Sequence, residues 1–371
     1  MHSGTPILKK RSDIAAAFPC PGRYLGEHPY GSGHINDTYR VLFDDAGRET
    51  QYIRQRINPN VFPDIPALME NIGRVLRHLE TKLDGPCDRA AERRILTLIP
   101  TIDGADYLQD ANGDVWRTYV FVTDARGVDV IENTTQAFEA AKAFGTFQSQ
   151  LADLPGRLHE TIPQFHDTPS RYRDLLSAIN DDNVNRAASA RDEIAFARQH
   201  ESLTTLIMDR IASGALPERV THNDTKLNNV LLDTTSHRGV CVIDLDTVMP
   251  GSPLFDFGDM VRSMTTTATE NEPDPSKIAM DATYFEAIVK GYLESAGGFL
   301  NTEEKSLLAL SGPLITFEIG LRFLSDYLRG DTYFKTDHDT QNLDRCRKQF
   351  RMVQSMEAQS DLMQTIVERS L

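Results

Sequence analysis

The segment VTHNDTKLNNVLLD (220–233) sets His222, Asn223, Asp224, Lys226, Asn228 and Asn229 against apolar, strand-like residues. DLDTVMPGSPLFDFGD (244–259) follows with Asp244, Asp246, Asp256 and Asp259. Polar side chains at that density cost folding free energy unless they bind one another or a ligand. The run NVLL, the turn-rich DTTSHRG and the β-branched VCVID spell a hairpin, which lays Asn229 at the start of one strand beside Asp244 at the end of the other. An amide and a carboxylate on neighbouring strand ends suit a hard cation. Mg²⁺ takes one or two such protein oxygens and completes its shell with phosphates and water. Asp224 lies on the loop entering the hairpin, where a carboxylate beyond the metal's needs is placed to accept a proton from a hydroxyl nucleophile. Taken singly, Asp224 would cap a turn and Asn229 would satisfy a loop. The three at this spacing point to chemistry.

The other polar residues divide. His222 suits bracing the loop through backbone hydrogen bonds more than moving protons. Lys226 either neutralises a transferring phosphate or is a solvated charge. Asp246 could bind a second cation or hold the loop. Asp256 and Asp259 suit capping or bracing a helix that begins near Phe257.

The elements that must position these groups fall into two halves. YLGEHPYGSGHINDTYRVLF gives two extended runs around a glycine turn and TQYIRQRI a third, while DIPALMENIGRVLRHLETKL (64–83) has helical spacing with basic residues towards its end. RRILTLIP and VWRTYVFV read as two more strands. Residues 1–122 are thus expected to form a lobe with a five-stranded antiparallel sheet and one helix. In its turn, Gly31, Ser32 and Gly33 let backbone N–H groups approach phosphates without a Cβ in the way, and His34 and Asn36 add donors. Gly-x-Gly alone is a weak signal, and it gains weight beside the Asp/Asn/Asp set. From Asn133 onward the pattern is helical, interrupted by strand character only over about 219–246. The expected fold is α+β and bilobal, a small β-rich lobe followed by a larger helical lobe (123–371) that carries the hairpin.

Bulk properties narrow the partners. A chain of 371 residues is long enough for two lobes, and 54 acidic against 39 basic residues give a net charge of −15. That balance argues against broad nucleic-acid or anionic-membrane binding. The four cysteines are dispersed without a CxxC pair, which argues against a zinc site or a disulfide framework. No signal-peptide core is evident and no run approaches the ~20 apolar residues of a membrane span, so the expectation is a soluble, cytoplasmic protein.

His222-x-Asp224-x-x-x-x-Asn229 followed by Asp244 resembles the catalytic segment of kinase-like phosphotransferases, in which an Asp orients the acceptor hydroxyl and an Asn and a later Asp hold Mg²⁺. His-Asn-Asp in place of His-Arg-Asp is similar to the aminoglycoside phosphotransferase and choline kinase branch, which acts on small molecules. That resemblance implies a protein-kinase-like fold and ATP as co-substrate. Tyr119, Phe121 and Val122 in YVFV fall where an adenine-binding hinge is expected. In YIRQRIN, Gln55 falls in the place of the phosphate-gripping lysine, a departure from the pattern, with Arg56 beside it and Glu70 or Asn71 as candidates to face it from the following helix.

YGSGHINDTY, THNDTKLNN, IDLDTVMPGSPLFDFGD and LRFLSDYLRGDTYF together resemble the N-acetylhexosamine 1-kinases over essentially the full chain. That resemblance implies phosphorylation of the anomeric hydroxyl of N-acetylglucosamine or N-acetylgalactosamine, with Asp224 as base, Asn229 and Asp244 as metal ligands, and His34, Arg322 and Tyr333 at sugar-contacting positions. Without it, Arg322 would read as an interhelical salt bridge and Tyr333 as a packed loop aromatic. Ser263 is small and polar where that family can carry an aromatic, which implies an altered acetamide preference. Kinases of choline, homoserine, an aminoglycoside or another hexose, and a regulatory ATP-binding module without chemistry, are the competing readings.

Overall fold

The computed structural model describes residues 5–31, 35–83, 93–272 and 274–371, with side chains from residue 11. The chain divides into two compact units, Met1–Asp124 and Ala125–Leu371.

In the first unit, helix α1 (Thr5–Ala16) precedes strands β1 (Arg23–Pro29), β2 (Asp37–Asp45) and β3 (Arg48–Ile57). Helix α2 (Ile65–Glu80) follows, then β4 (Leu98–Ile99), β5 (Leu108–Gln109) and β6 (Val115–Val120). Helix α2 begins where Asp64 accepts from the Ala67 N–H, and it buries a stripe from Ile65 to Leu79 at helical spacing. The antiparallel sheet runs β1-β2-β3-β6-β4, with β5 pairing separately with β6. Among the described residues it therefore has six strands where five were expected. The sixth is a two-residue pairing of Leu108 with Trp116 and Gln109 with Val115, too short to show as alternation.

The second unit opens with β7 (Ala125–Arg126), α3 (Thr134–Leu151), α4 (Thr168–Asp181), α5 (Arg191–Gln199) and α6 (Leu206–Ala212). Strands β8 (Arg219–Thr221), β9 (Val230–Asp233), β10 (Gly239–Val242) and β11 (Met249–Gly251) come next. Helices α7 (Pro253–Met264), α8 (Ala282–Ala296), α9 (Thr302–Ser306), α10 (Leu308–Leu328), α11 (Gln341–Glu357) and α12 (Ser360–Ser370) complete it. The hairpin β9–β10 takes β7 as a third strand, and β8 pairs with β11.

Helix α10 is the core of this unit, packed against α4, α7 and α11. By length and composition it could cross a membrane, but 83% of its apolar window is buried inside the chain. Apolar residues around its whole circumference are what a central helix needs.

Candidate active site

The loop that carries Asp224 runs from β8 to the hairpin. Its base is buried: Thr221, His222, Asn223 and Thr225 are each 5% exposed or less. Asp256, in the first turns of α7, anchors it. One carboxylate oxygen accepts from the His222 N–H at 2.8 Å, the other from the Asn223 N–H at 2.6 Å. Thr225 Oγ1 donates to the Asp256 carbonyl at 2.6 Å. Behind it, Tyr292 Oη donates to Gln148 Oε1 and Gln148 Nε2 donates to Asp256, both at 2.5 Å. The α7 cap is Ser252, so Asp256 holds the loop and does not cap the helix. Asp259 braces α7 as expected, accepting from Arg262 Nε at 2.7 Å.

His222 braces the loop. It lies edge-on to Phe144 and Phe147, accepts from the Asp224 N–H at Nδ1 (3.3 Å), and places Nε2 2.9 Å from the Ile243 carbonyl. Since a carbonyl only accepts, Nε2 carries the proton and Nδ1 is free to accept. His222 therefore ties Asp224 to the residue before Asp244, and no proton-transfer role is needed to explain it.

Asn229 closes a 3₁₀ turn, Leu227–Asn229, and its carbonyl accepts from the Ile243 N–H at 2.9 Å. Its Nδ2 donates to the Asp224 carbonyl at 2.8 Å and to Asp224 Oδ2 at 3.0 Å. Lys226 Nζ lies 3.1 Å from the same Oδ2. Both contacts fall on one carboxylate oxygen, which leaves Oδ1 for a ligand. Burial alone would raise the Asp224 carboxyl, but Lys226 leads the positive neighbours that hold it below its ordinary value. Asp224 also raises Lys226 in turn.

Asp244 follows β10 with φ 62°, a left-handed conformation that costs a non-glycine residue energy and is typical of functional turns. Its surroundings and the like charges of Asp246 and Asp224 push its carboxyl up to about 6. The side chain is open to solvent, so the two like charges are the cause that carries weight. Asn229 and Asp244 could hold a divalent cation: the Asn229 amide nitrogen is committed to Asp224, which leaves Oδ1 as its ligand atom, and the crowded Asp244 carboxylate gains from a positive neighbour. Among the described residues no group of three or more His, Cys, Asp or Glu could hold a metal by itself.

Arg322 lies on α10 with its guanidinium over the rings of Phe165, Tyr333 and Phe334, at 5.2, 5.8 and 5.7 Å from the centroids. It lies against these rings and has no salt bridge among the described residues. Tyr333 is 51% exposed, and its backbone is pinned by a hydrogen bond of 2.8 Å to Asp326. The structure thus brings Arg322 and Tyr333 together, as it does Asp224, Asn229 and Asp244.

A model of the phosphotransferase enzyme family matches residues 27–295, which is most of the chain. The chain belongs to that family. Solved structures agree in fold across this phosphotransferase. It is similar to an aminoglycoside phosphotransferase from Alicyclobacillus acidocaldarius, at 14% identity with 96% of both chains covered and a TM-score of 0.61. A microcompartment-associated aminopropanol kinase matches at 16% identity, 95% of this chain, 98% of that one and a TM-score of 0.61. A spectinomycin phosphotransferase in complex with ADP and spectinomycin matches at 12% identity, 91% and 92% coverage and a TM-score of 0.55. The phosphotransferase shares the kinase-like fold of these structures.

Other candidate residues lie in the first unit of the phosphotransferase. Gly31 has φ 81° and open space where a Cβ would stand; Ser32, Gly33 and His34 lie outside the described residues. Tyr30 packs edge-on to Phe121 at 5.7 Å, which draws the start of the glycine turn to the end of β6. The Val120 and Phe121 N–H groups bond to Thr97 and Gln51, so Val122 is the first backbone beyond the sheet. Tyr119 is buried with Arg117 over its ring.

Gln55 Oε1 accepts from Arg117 Nε and Nη2 at 2.9 and 2.8 Å, and its Nε2 donates to Thr38. Across the β3–β6 ladder Arg117 is its direct partner. Sequence reading missed that cation because it sits on another strand. Arg56 is spent on Asp37 and Asp114. Glu70 pairs with Arg74 at 4.0 Å, and Asn71 is buried.

Proposed function

We propose that this phosphotransferase moves the γ-phosphoryl group of ATP to the anomeric C1 hydroxyl of an N-acetylhexosamine, giving the sugar 1-phosphate. The observation that carries the chemistry is the pairing of Asp224 with Asn229 and Lys226, which leaves one carboxylate oxygen uncommitted. Held below its ordinary value, Asp224 is ionised at neutral pH and ready to orient an acceptor hydroxyl and take its proton as the new P–O bond forms. The bond between the β- and γ-phosphates breaks and ADP leaves. Asn229 Oδ1 and Asp244 would hold Mg²⁺, which when bound neutralises charge on the phosphates. Gly31, Ser32 and Gly33 are proposed to cover those phosphates, and Tyr119, Phe121 and Val122 to serve the adenine. Gln55 would reach them through Arg117, with Arg56 left to its surface pairs.

The acceptor class rests on Arg322 and Tyr333. A guanidinium stacked among rings keeps its planar donors for hydroxyl and acetamide oxygens, and an exposed Tyr offers a face and a hydroxyl. His34 is proposed as a further sugar-contacting residue. Ser263 donates back to the Asp259 carbonyl at 2.8 Å, so it offers an acetamide methyl no apolar wall.

The test is ADP release from the purified chain with ATP and Mg²⁺ against N-acetylglucosamine, N-acetylgalactosamine, their non-acetylated parents, choline, homoserine and an aminoglycoside. NMR then locates the phosphate. Turnover confined to the N-acetylated sugars with phosphate at C1 is expected. Preference for any other acceptor would overturn the sugar assignment and keep the kinase, while ADP release with none of them would favour a module without chemistry.

A further inference from the structure

Asp224 joins the chain through the Asn223–Asp224 peptide group, and a histidine holds each polar atom of that group. His166 Nε2 lies 3.0 Å from the Asn223 carbonyl oxygen, and the Asp224 N–H donates to His222 Nδ1. His166 Nδ1 lies 2.7 Å from Glu318 Oε1, and Glu318 Oε2 accepts from Thr168 Oγ1 at 2.5 Å. Asn223, His166, Thr168 and Glu318 are all buried. Burial would lower the imidazole, but Glu318 outweighs it and raises the group. Glu318 is held below its ordinary value, His166 overcoming the effect of burial. Both partners agree on a charged pair, with both imidazole nitrogens donating.

Asn223 has φ 66°, a left-handed conformation that Asn adopts more readily than most non-glycine residues. Its N–H is fixed by Asp256 and its side chain by Thr221 and Thr247, so the 223–224 peptide plane is set by His166 at the carbonyl and by His222 at the Asp224 N–H. We infer that His166 is a positioning residue for Asp224: its bond to the Asn223 carbonyl sets the direction in which the carboxylate leaves the loop. The inference rests on the reading of Asp224 as the base. His166 lies 57 positions before Asn223 and touches no reacting atom, and Glu318 sits one helical turn before Arg322 on α10.

Two substitutions divide its bonds. Gln extends as far as Nε2, so His166→Gln can keep the bond to Asn223 while abandoning Glu318. Asn extends only as far as Nδ1, so His166→Asn keeps a donor for Glu318 and releases Asn223. A merely structural role ranks His166→Asn higher in both melting temperature and activity, because it spares the buried carboxylate. The inference predicts opposite orders: His166→Asn melts higher, yet its kcat lies ~10²-fold below that of His166→Gln, with ATP affinity and acceptor KM unchanged. Glu318→Gln, which lets a neutral imidazole keep Nε2–H on Asn223, stays close to wild type in kcat. The assays use the full chain with ATP, Mg²⁺ and its best acceptor, below all melting transitions. Equal kcat for the two His166 variants, or activity that follows melting temperature, would overturn the inference. Asp224→Asn runs alongside: if it keeps turnover, the base assignment fails and this inference with it. If it loses turnover while His166→Asn does not, only this inference fails.

Discussion

Asn229 spends its amide nitrogen on Asp224 twice, at the backbone carbonyl and at Oδ2. That relationship orients two groups at once. It fixes which carboxylate oxygen stays open, and it leaves the Asn229 side-chain oxygen on the side of the amide away from Asp224.

Removal of the metal-binding carboxylate should therefore show itself in metal dependence. Asp244→Asn keeps the shape and relieves the crowding with Asp246 and Asp224, so the fold should be no less stable. Titration of Mg²⁺ against ADP release should show a much higher metal requirement or no turnover. An unchanged Mg²⁺ curve would remove Asp244 from the metal site.

Arg322 makes its contacts through stacking, so charge alone should not replace it. Arg322→Lys loses the planar donors and most of the ring contact. Acceptor KM should rise at least ~10-fold, about the ~1.4 kcal/mol of one good hydrogen bond to a charged group, while KM for ATP stays the same. Steady-state kinetics with each substrate varied in turn decides this. A rise in the KM for ATP instead would place Arg322 on the nucleotide.

Gln55 holds Arg117 through its amide oxygen, which a lysine at this position could not do. A second cation opposite the buried Arg117 would remove the amide oxygen that its Nε and Nη2 share and set a like charge in its place. Gln55→Lys should cost ~1–3 kcal/mol of stability, from the loss of those two bonds, and lower the melting temperature. A variant that melts like wild type would mean that Arg117 has other acceptors to turn to.

The His166–Glu318 pair gives stability a pH signature. The raised His166 contributes fully below its ordinary value of 6.5, and that contribution is lost as pH climbs through its folded value. The lowered Glu318 contributes above its ordinary 4.5 and loses its share as pH falls through its folded value. The stability advantage of wild type over Glu318→Gln should therefore be greatest between these limits and shrink on the alkaline side. Melting curves at pH ~5 to ~9 read this directly. A constant gap would mean the pair is not charged.

Local patterns carried much of this to the sequence. The apolar runs in NVLL and VCVID, with a turn between, were enough to juxtapose Asn229 and Asp244. The helical spacing after Asp64 and Asn133 located α2 and α3. Breaks within helices were not legible: 189–214 reads as one run, yet it stops at Gln199, passes through a 3₁₀ turn at Glu201–Leu203 and resumes at Leu206. Likewise Thr302–Ser306 and Leu308–Leu328 read as one helix, because Leu307 fits the helical period on both sides. Long-range polar pairs left no trace. Glu318 lies 152 positions from His166 and Arg117 62 from Gln55, and each alone looks like an ordinary residue of its element. Asp256 was legible as a helix residue. Its bonds to the His222 and Asn223 N–H groups depend on where α7 docks.

The most direct measurement is single-turnover and steady-state ADP release by Asp224→Asn, with nucleotide affinity measured on the same preparation. The asparagine keeps the shape and accepts no proton, so turnover should fall by ~10²–10⁴-fold while ATP binds as in wild type. Turnover close to wild type would contradict the assignment of Asp224 as the base, and with it the mechanism built on this loop.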